Sequence, residues 1–348
     1  MIADMLSKLK NKNNLSYNEI SNAMEDILSG NVSDENISDF LKSLRDKGES
    51  DDELLGMLDK MQAFALHISP KRKGTIIDVC GTGGDNLQTF NISTTASFVI
   101  AAAGGVVAKH GNRSISGVSG SADIFEYFGY DLNSSPERVT QIIDKFGIGF
   151  MFAQKFHPAM KNVANARKMI GGRTAFNLLG PLTNPAQIKN QLIGVFSDDL
   201  LERLALLLKK RGSENIMTVR SQDGLDELST TSKNKVCFLK NGIITPMIVD
   251  PEKLGLAKPP IKEIQVTNKH EAVNAFVSVL NSTANNAMIE ITALNAAGGL
   301  LVANIVNSFE EGIEIALDII KSGMSYSLFE DFVRYCGDIK KLEGFDQS

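Results

Sequence analysis

Only three cysteines occur in the 348 residues, Cys80, Cys237 and Cys336, and their separations match neither a metal spacing nor a paired framework. A disulfide scaffold is excluded, and a reducing compartment is the simplest setting. Positive charge is not in excess: 36 Lys and Arg stand against 41 Asp and Glu, a net charge of −5. A nucleic-acid surface needs concentrated Lys and Arg, so any anionic ligand must be held by a local site. Long apolar runs are also missing. Residues 96–108 are too few, and 286–306 are interrupted by Glu290 and Asn295, where a span needs about 20 predominantly apolar residues. The first residues, Met-Ile-Ala-Asp-Met-Leu-Ser-Lys, have neither the charged start nor the apolar stretch of a signal peptide. A cytoplasmic protein without nucleic-acid or membrane partners is expected. No internal repeat is evident.

What is present is enough to build one large core and a smaller second domain, with 43% hydrophobic and 22% charged residues. Residues 1–69 carry helical periodicity: Ile20, Ala23, Met24, Ile27 and Leu28 follow a Ser16-x-x-Glu19 capping box. Ile37, Phe40, Leu41 and Leu44 repeat the spacing, and Ser50-x-x-Glu53 opens a further helix bearing Leu54, Met57, Leu58 and Met61. Ser69-Pro-Lys-Arg-Lys-Gly74 reads as a solvated polar hinge. Beyond it, β-rich runs at 75–79, 106–109, 149–152, 191–196 and 216–219 alternate with helices at 93–103, 122–128, 136–146 and 200–210. The pattern predicts an α/β domain over 70–348, with a mostly parallel central sheet flanked by helices. Helical stretches at 158–170 and 173–182 fall between two strands, so the chain is expected to return to the helical domain near 158–182. A hairpin over 235–239 and 242–249 and helices at about 271–281, 286–305, 309–322 and 327–335 complete the reading.

Ligands of such a sheet collect at the carboxyl ends of its strands, and two glycine-rich turns lie there. Gly81-Thr-Gly-Gly-Asp85 is not a P-loop, because no Gly-Lys-Ser/Thr follows, and Asn86 breaks the dinucleotide fingerprint. Its glycines let backbone N–H groups approach anionic oxygens, beside a helix N-terminus near Ser93 with Asn91 and Thr94 as further donors. A tight strand-to-helix turn capped by Asn91 or Ser93 has the same composition. The second run, Lys109-His-Gly-Asn-Arg-Ser-Ile-Ser-Gly117 continuing to Ser121, places two cations and several neutral donors on a loop expected to share the first turn's crevice. Phosphate or pyrophosphate is the natural occupant. Asp226-Glu227, in a glycine-containing loop after the fifth strand, suits Mg²⁺ bound through one or two carboxylates plus phosphate oxygens. Ser93 is a candidate hydroxyl ligand, and Asp223 a weaker candidate. An exposed acidic turn is the alternative. Arg167 has the chemistry for a bidentate carboxylate contact, with His110 and His157 on loops after strands. Cys80 reads as a packing residue.

The blocks Gly81-Thr-Gly-Gly-Asp85, Asn91-Ile-Ser-Thr94, Lys109-His-Gly-Asn-Arg113, Gly120-Ser-Ala-Asp123, His157-Pro-Ala-Met-Lys-Asn-Val-Ala-Asn165, Phe176-Asn-Leu-Leu-Gly-Pro-Leu-Thr-Asn-Pro185 and Asp226-Glu227 occur in one order. In that order the chain resembles the anthranilate phosphoribosyltransferase family over nearly its whole length, least distinctively in its last third. The resemblance implies a small N-terminal helical domain hinged to a large α/β domain like that of pyrimidine nucleoside phosphorylases, and a homodimer formed through the helical domain. It implies Mg-dependent transfer of the phosphoribosyl group of phosphoribosyl pyrophosphate to the amine of anthranilate, giving phosphoribosyl-anthranilate and pyrophosphate in tryptophan biosynthesis. Phosphoribosyl pyrophosphate contacts then fall on Gly81, Gly84, Asp85, Thr89, Asn91, Ile92, Ser93, Thr94, Lys109, His110, Gly111, Asn112, Arg113, Ser114, Ile115, Ser116, Gly117 and Ser121. Mg²⁺ falls on Ser93, Asp226 and Glu227. Anthranilate contacts fall on Gly81, Asn112 and Arg167, with His110 and His157 beside them. Lys109 is expected to stabilise the leaving pyrophosphate and His110 to accept a proton. A pyrimidine nucleoside phosphorylase-like enzyme is the alternative, against which Asp226-Glu227 and Arg167 weigh.

Overall fold

The computed structural model describes residues 2–85, 87–114 and 117–345. Its first four helices are α1 (Ile2–Lys10), α2 (Tyr17–Leu28), α3 (Asp34–Lys47) and α4 (Asp51–Ala63). Both capping boxes form: Ser16 with Glu19 starts α2, and Ser50 with Glu53 starts α4. Each satisfies orphan backbone donors and contributes on the order of 1 kcal/mol. Ile20, Met24, Ile27, Ile37, Phe40, Leu44, Leu54, Met57 and Leu58 form the buried stripes. Glu53 is buried among them and is compensated: its carboxylate accepts from Leu15 N at 2.8 Å, Ser50 N at 2.7 Å and Lys47 Nζ at 2.8 Å.

The α/β pattern begins with β1 (Ile76–Gly81), α5 (Ile92–Ala102), β2 (Val106–Gly111), α6 (Ser121–Tyr127), α7 (Pro136–Phe146) and β3 (Ile148–Phe152). Three short helices follow: α8 (Ala153–Phe156), α9 (Lys161–Ile170) and α10 (Ala175–Leu179). The helix expected over 173–182 is therefore divided, because Pro181 leaves only a 3₁₀ turn at Gly180–Leu182. The sheet resumes with β4 (Asn190–Gly194), α11 (Asp199–Lys210), β5 (Asn215–Ser221) and the hairpin β6 (Asn234–Lys240) and β7 (Ile243–Val249). Helices α12 (Lys269–Leu280), α13 (Asn286–Val302), α14 (Phe309–Lys321), α15 (Met324–Cys336) and α16 (Ile339–Glu343) complete the chain.

The described residues fall into two compact units: Met1–His67 with Ala153–Gln187, and Ile68–Phe152 with Ile188–Ser348. The second contains a seven-stranded sheet in the order β3-β2-β1-β4-β5-β6-β7, parallel from β3 to β5 and antiparallel at β6 and β7. Every residue of β3 and β4 is buried, as strands covered on both faces require. Pro246 sits in β7, the sheet edge, where a missing N–H is tolerated. The strand order reverses between β1 and β4, the topological switch point at which α/β sheets bind ligands.

One local reading is corrected. The 69–74 segment is no free hinge at Arg72: its N–H donates to Asp144 Oδ1 at 2.9 Å, and its guanidinium donates to the Asp144 and Lys145 carbonyls at the end of α7. A guanidinium there satisfies helix carbonyls that lack intrahelical donors.

Candidate active site at the sheet switch point

Gly81 and Gly194 are paired at the carboxyl ends of β1 and β4. Neither tolerates a side chain. A Cβ on Gly81 would lie 2.5 Å from Asp226 Oδ2, and one on Gly194 would lie 1.4 Å from the Asp226 carbonyl oxygen. The two glycines make a slot that seats Asp226 against the switch point. Gly83 and Gly84, with φ of 71° and 91°, then turn the chain away from β1.

The Gly83 N–H donates to Asp226 Oδ2 at 2.6 Å, and the Ser93 N–H, in the first turn of α5, donates to Glu227 Oε1 at 3.3 Å. Amides of the glycine turn and of a helix N-terminus thus already receive anionic oxygens. Asn91 precedes α5 but makes no side-chain cap; its Nδ2 donates to the Ser119 carbonyl at 3.0 Å. The capped-turn alternative for this segment is therefore not what forms. Asp226 is buried, and Asp85 hydrogen-bonds to it. Burial, followed by Asp85, pushes the Asp226 carboxyl up to about 7. Burial, followed by Asp226, pushes Glu227 up to about 8, against the pull of Lys109.

Lys109 is almost completely buried, and its Nζ donates to the Val79 carbonyl at 2.7 Å and to Ser93 Oγ at 3.3 Å. Burial lowers its pKa, while Asp78, Cys80 and Glu227 hold it up. His110 does not lie on a loop as expected, and the strand expected to end at Lys109 runs on past it. Parallel pairing with β3 through Lys109–Phe150, His110–Met151 and Gly111–Phe152 extends β2 over His110 and Gly111. The His110 N–H donates to Asp78 Oδ1 at 3.4 Å, and Asp78, given no role from the sequence, is fully buried. Thr94 is also buried and donates to Ser121 Oγ at 2.9 Å. Ile92 is packed in the core, with its N–H on the Phe90 carbonyl.

The second loop is held by its own charges. Arg113 forms a two-pronged pair with Glu126, 2.5 and 2.7 Å, and lies 3.5 Å from Asp123. The Arg113 N–H also donates to Asn112 Oδ1 at 2.8 Å, and Ser114 Oγ donates to the Gly117 carbonyl at 2.7 Å. Thr89 forms an isolated bridge with Gln265. Ile115 and Ser116 lie outside the described residues. Gly81, Gly84, Asp85, Ser93, Thr94, Lys109, Asp226 and Glu227 are brought to one end of the sheet.

Asp223 is corrected as a metal candidate. Its carboxylate accepts from Ser229 Oγ at 2.8 Å, from Thr231 Oγ1 and from Leu225 N at 3.1 Å, so it is occupied in folding its own loop. Asp226, Glu227 and Ser93 present hard oxygens of the kind Mg²⁺ takes, and the two carboxyls, held up by burial, would gain from a dication that favours their ionised form. Among the described residues no group of three or more His, Cys, Asp or Glu encloses a metal alone, so an ion here needs further oxygen donors.

Within the helical unit, Arg167 lies on α9 with its guanidinium 5.7 Å from the Phe176 ring and Nη2 3.5 Å from Asn177 Oδ1. Burial lowers its pKa, and among the described residues no carboxylate restores it, the condition of a guanidinium suited to an anionic partner. His157 is buried and pushed down to about 4 by that burial, against a hydrogen bond with the Thr183 backbone. It precedes a 3₁₀ turn and follows α8, not a strand. Asn162 and Asn165 serve the bundle, donating to the Leu28 carbonyl at 2.8 Å and Asp34 Oδ2 at 3.2 Å. Burial pushes the Cys80 thiol up, as expected of a packing residue.

Comparison with known proteins agrees with this organisation. Residues 3–65 match the glycosyl transferase family helical bundle domain, and residues 73–326 match the glycosyl transferase family a/b domain. The chain is 64% identical to anthranilate phosphoribosyltransferase of Nitrosopumilus maritimus over 99% of each chain. It is 45% identical to that of Cenarchaeum symbiosum over 95% of this chain and 96% of the relative. Among solved structures, it is similar to anthranilate phosphoribosyltransferase from Thermus thermophilus, with a TM-score of 0.88 and 35% identity over 95% of this chain and 98% of the other. The Saccharomyces cerevisiae enzyme in complex with PRPP and Mg gives a TM-score of 0.86 and 25% identity over 96% and 97% of the two chains.

Proposed function

The chain belongs to the anthranilate phosphoribosyltransferase family, and on that premise we propose how its residues perform the transfer. The reaction moves the phosphoribosyl group of phosphoribosyl pyrophosphate to the amine of anthranilate, giving N-(5-phosphoribosyl)anthranilate and pyrophosphate, with Mg²⁺ as cofactor. The observation that carries the assignment is the meeting of Asp226 and Glu227 with the Gly83 and Ser93 amides at the β1–β4 switch point. Amides that receive carboxylate oxygens there are suited to receive diphosphate oxygens. A nucleoside phosphorylase has no comparable use for the acidic pair.

We assign the phosphoribosyl pyrophosphate to the glycine turn, the N-terminus of α5 and the 109–121 segment. Ser93, Asp226 and Glu227 would hold Mg²⁺, which when bound neutralises diphosphate charge as the bond to the ribose breaks. Lys109 fixes the Ser93 hydroxyl and supplies positive potential from a buried position. The amides of Gly83 and Ser93 are held by the fold before the reaction, so they need no reorganisation as leaving-group charge develops. Substitution at the ribose carbon has oxocarbenium character, as in other glycosyl transfers. The amine of anthranilate loses its proton late, with His110 assigned as its acceptor.

Gly81, His110 and Asn112, and likewise Arg167 and His157, are each assigned to anthranilate as the family resemblance implies. A desolvated guanidinium at Arg167 supports a carboxylate partner. The proposed functional division is residues 1–69 with the segment near 158–182 as the helical domain, and 70–348 as the phosphoribosyl-transfer domain. We further propose a homodimer through the helical domain, supported by exposed Tyr17, Leu66 and Met169 in that unit. A cytoplasmic location is supported by three free cysteines. No described helix is long and apolar enough to cross a membrane. Light scattering tests the dimer, and consumption of anthranilate with phosphoribosyl pyrophosphate and Mg²⁺ tests the transfer.

A further inference from the structure

Helix α13 is apolar and buried along most of its length, yet Asn295 stands in its middle at 1% exposure. A side-chain amide there is costly unless each polar atom is paired. Two of its three hydrogen bonds go to one residue. Asn295 Oδ1 accepts from Leu228 N at 3.1 Å, and Nδ2 donates to the Leu228 carbonyl at 2.7 Å and to the Ile291 carbonyl at 2.8 Å. Leu228 directly follows Glu227. Gly298, one helical turn beyond Asn295, leaves the room that the Leu228 side chain fills, since a Cβ there would lie 2.9 Å from Leu228 Cδ1. The polar and the steric contacts of one helix face thus fix the same residue.

We infer that Asn295 is a positioning residue for the Mg²⁺ ligands, holding the Asp226-Glu227 peptide in register from its carboxyl side while the Gly194 slot holds it at Asp226. The inference rests on the assignment of Asp226 and Glu227 to Mg²⁺. Removing the amide leaves both backbone groups of Leu228 without their partner, so the adjacent Glu227 carboxylate loses its fixed distance from Ser93. Residues behind metal ligands typically govern about 10–100-fold of metal affinity.

The test is a calorimetric titration of Mg²⁺ into the full chain with inorganic pyrophosphate present, alongside the KM for anthranilate. Asn295→Ala is expected to weaken Mg²⁺ about tenfold or more while the KM for anthranilate moves by less than about twofold. Thr292→Val removes a buried hydroxyl from the same helix that donates to the Met288 carbonyl within that helix, and should leave Mg²⁺ binding unchanged. Gly298→Ala disturbs Leu228 sterically and should weaken Mg²⁺ in the same way, which preserves the test if Asn295→Ala does not fold. Wild-type Mg²⁺ affinity in a folded Asn295→Ala protein, or in Gly298→Ala where that is the folded variant, overturns the inference. So does an equal loss in Thr292→Val. Lack of anthranilate turnover by the wild-type chain would instead contradict the proposed function, because the binding readout does not depend on it.

Discussion

The backbone N–H of Gly83 donates to Oδ2 of Asp226 at 2.6 Å, across 143 positions of sequence. A carboxylate of the acidic pair therefore rests on an amide assigned to the diphosphate, and Glu227 does the same at Ser93. Mg²⁺ is expected to draw both carboxylates onto itself and release these amides. Asp226→Asn with Glu227→Gln should bind pyrophosphate in the absence of Mg²⁺ at least as tightly as the wild type does, and gain little when Mg²⁺ is added. Calorimetry with and without the metal decides this. An unchanged enhancement by Mg²⁺ in the double variant contradicts it.

Arg167 separates acceptor from donor. A hydrogen bond to a charged group contributes about 1.5–3 kcal/mol, so Arg167→Ala should raise the KM for anthranilate roughly 10–100-fold with little change for phosphoribosyl pyrophosphate. Arg167→Lys should restore only part of the loss, because an ammonium lacks the planar fork. Steady-state kinetics with each substrate varied in turn is the check. Equal losses for both substrates would remove Arg167 from the acceptor.

The acidic pair should make stability depend on pH in an unusual direction. Folded-state pKa values of about 7 for Asp226 and about 8 for Glu227 lie above the ordinary carboxylate range. The stabilisation they give is complete below about pH 4 and is lost as pH rises through their folded values. Mg²⁺ with pyrophosphate favours the ionised pair and opposes this loss. The rise in melting temperature that the ligands cause should be larger at about pH 8.5 than at about pH 6. A rise independent of pH would show that the pair ionises without the metal.

His157 acts with the opposite sign. Its folded pKa of about 4 lies below the ordinary imidazole value of about 6.5, so the neutral imidazole contributes stability that is present above about pH 6.5 and is lost as pH falls toward 4. Replacement by Gln should lower stability near pH 7 yet flatten the acid arm of the melting profile. An unchanged acid arm would mean that His157 is not held neutral by burial.

The slot at Gly194 is steric. Gly194→Ala would put a methyl group 1.4 Å from a backbone oxygen, which no side-chain rotation relieves. Overpacking against backbone is expected to destabilise the α/β unit by about 3 kcal/mol or more and to abolish Mg-dependent pyrophosphate binding. Denaturant unfolding and calorimetry measure the two effects.

Local signals were legible in the sequence, and signals made by distant pairing were not. The Ser16–Glu19 and Ser50–Glu53 boxes span three residues each and form as read. The strand end is set by the ladder and not by the local sequence: β2 continues beyond Lys109 through His110 and Gly111 because β3 pairs with both. Asp226-Glu227 stood out as an acidic pair, but its contact with Asp85 and the Gly194 slot depend on strand order. Asp223 has the same residue type and loop as Asp226, and only the hydroxyls of Ser229 and Thr231 reveal its different use. Asn295 read only as an interruption of an apolar run. Its partner, Leu228, is 67 residues away.

The most direct test follows anthranilate fluorescence after the protein meets phosphoribosyl pyrophosphate and Mg²⁺. Fluorescence should fall as anthranilate is consumed, only when both are present, with one pyrophosphate released per anthranilate lost. Undiminished fluorescence at high enzyme concentration, or phosphate-dependent cleavage of thymidine or uridine in its place, would contradict the account.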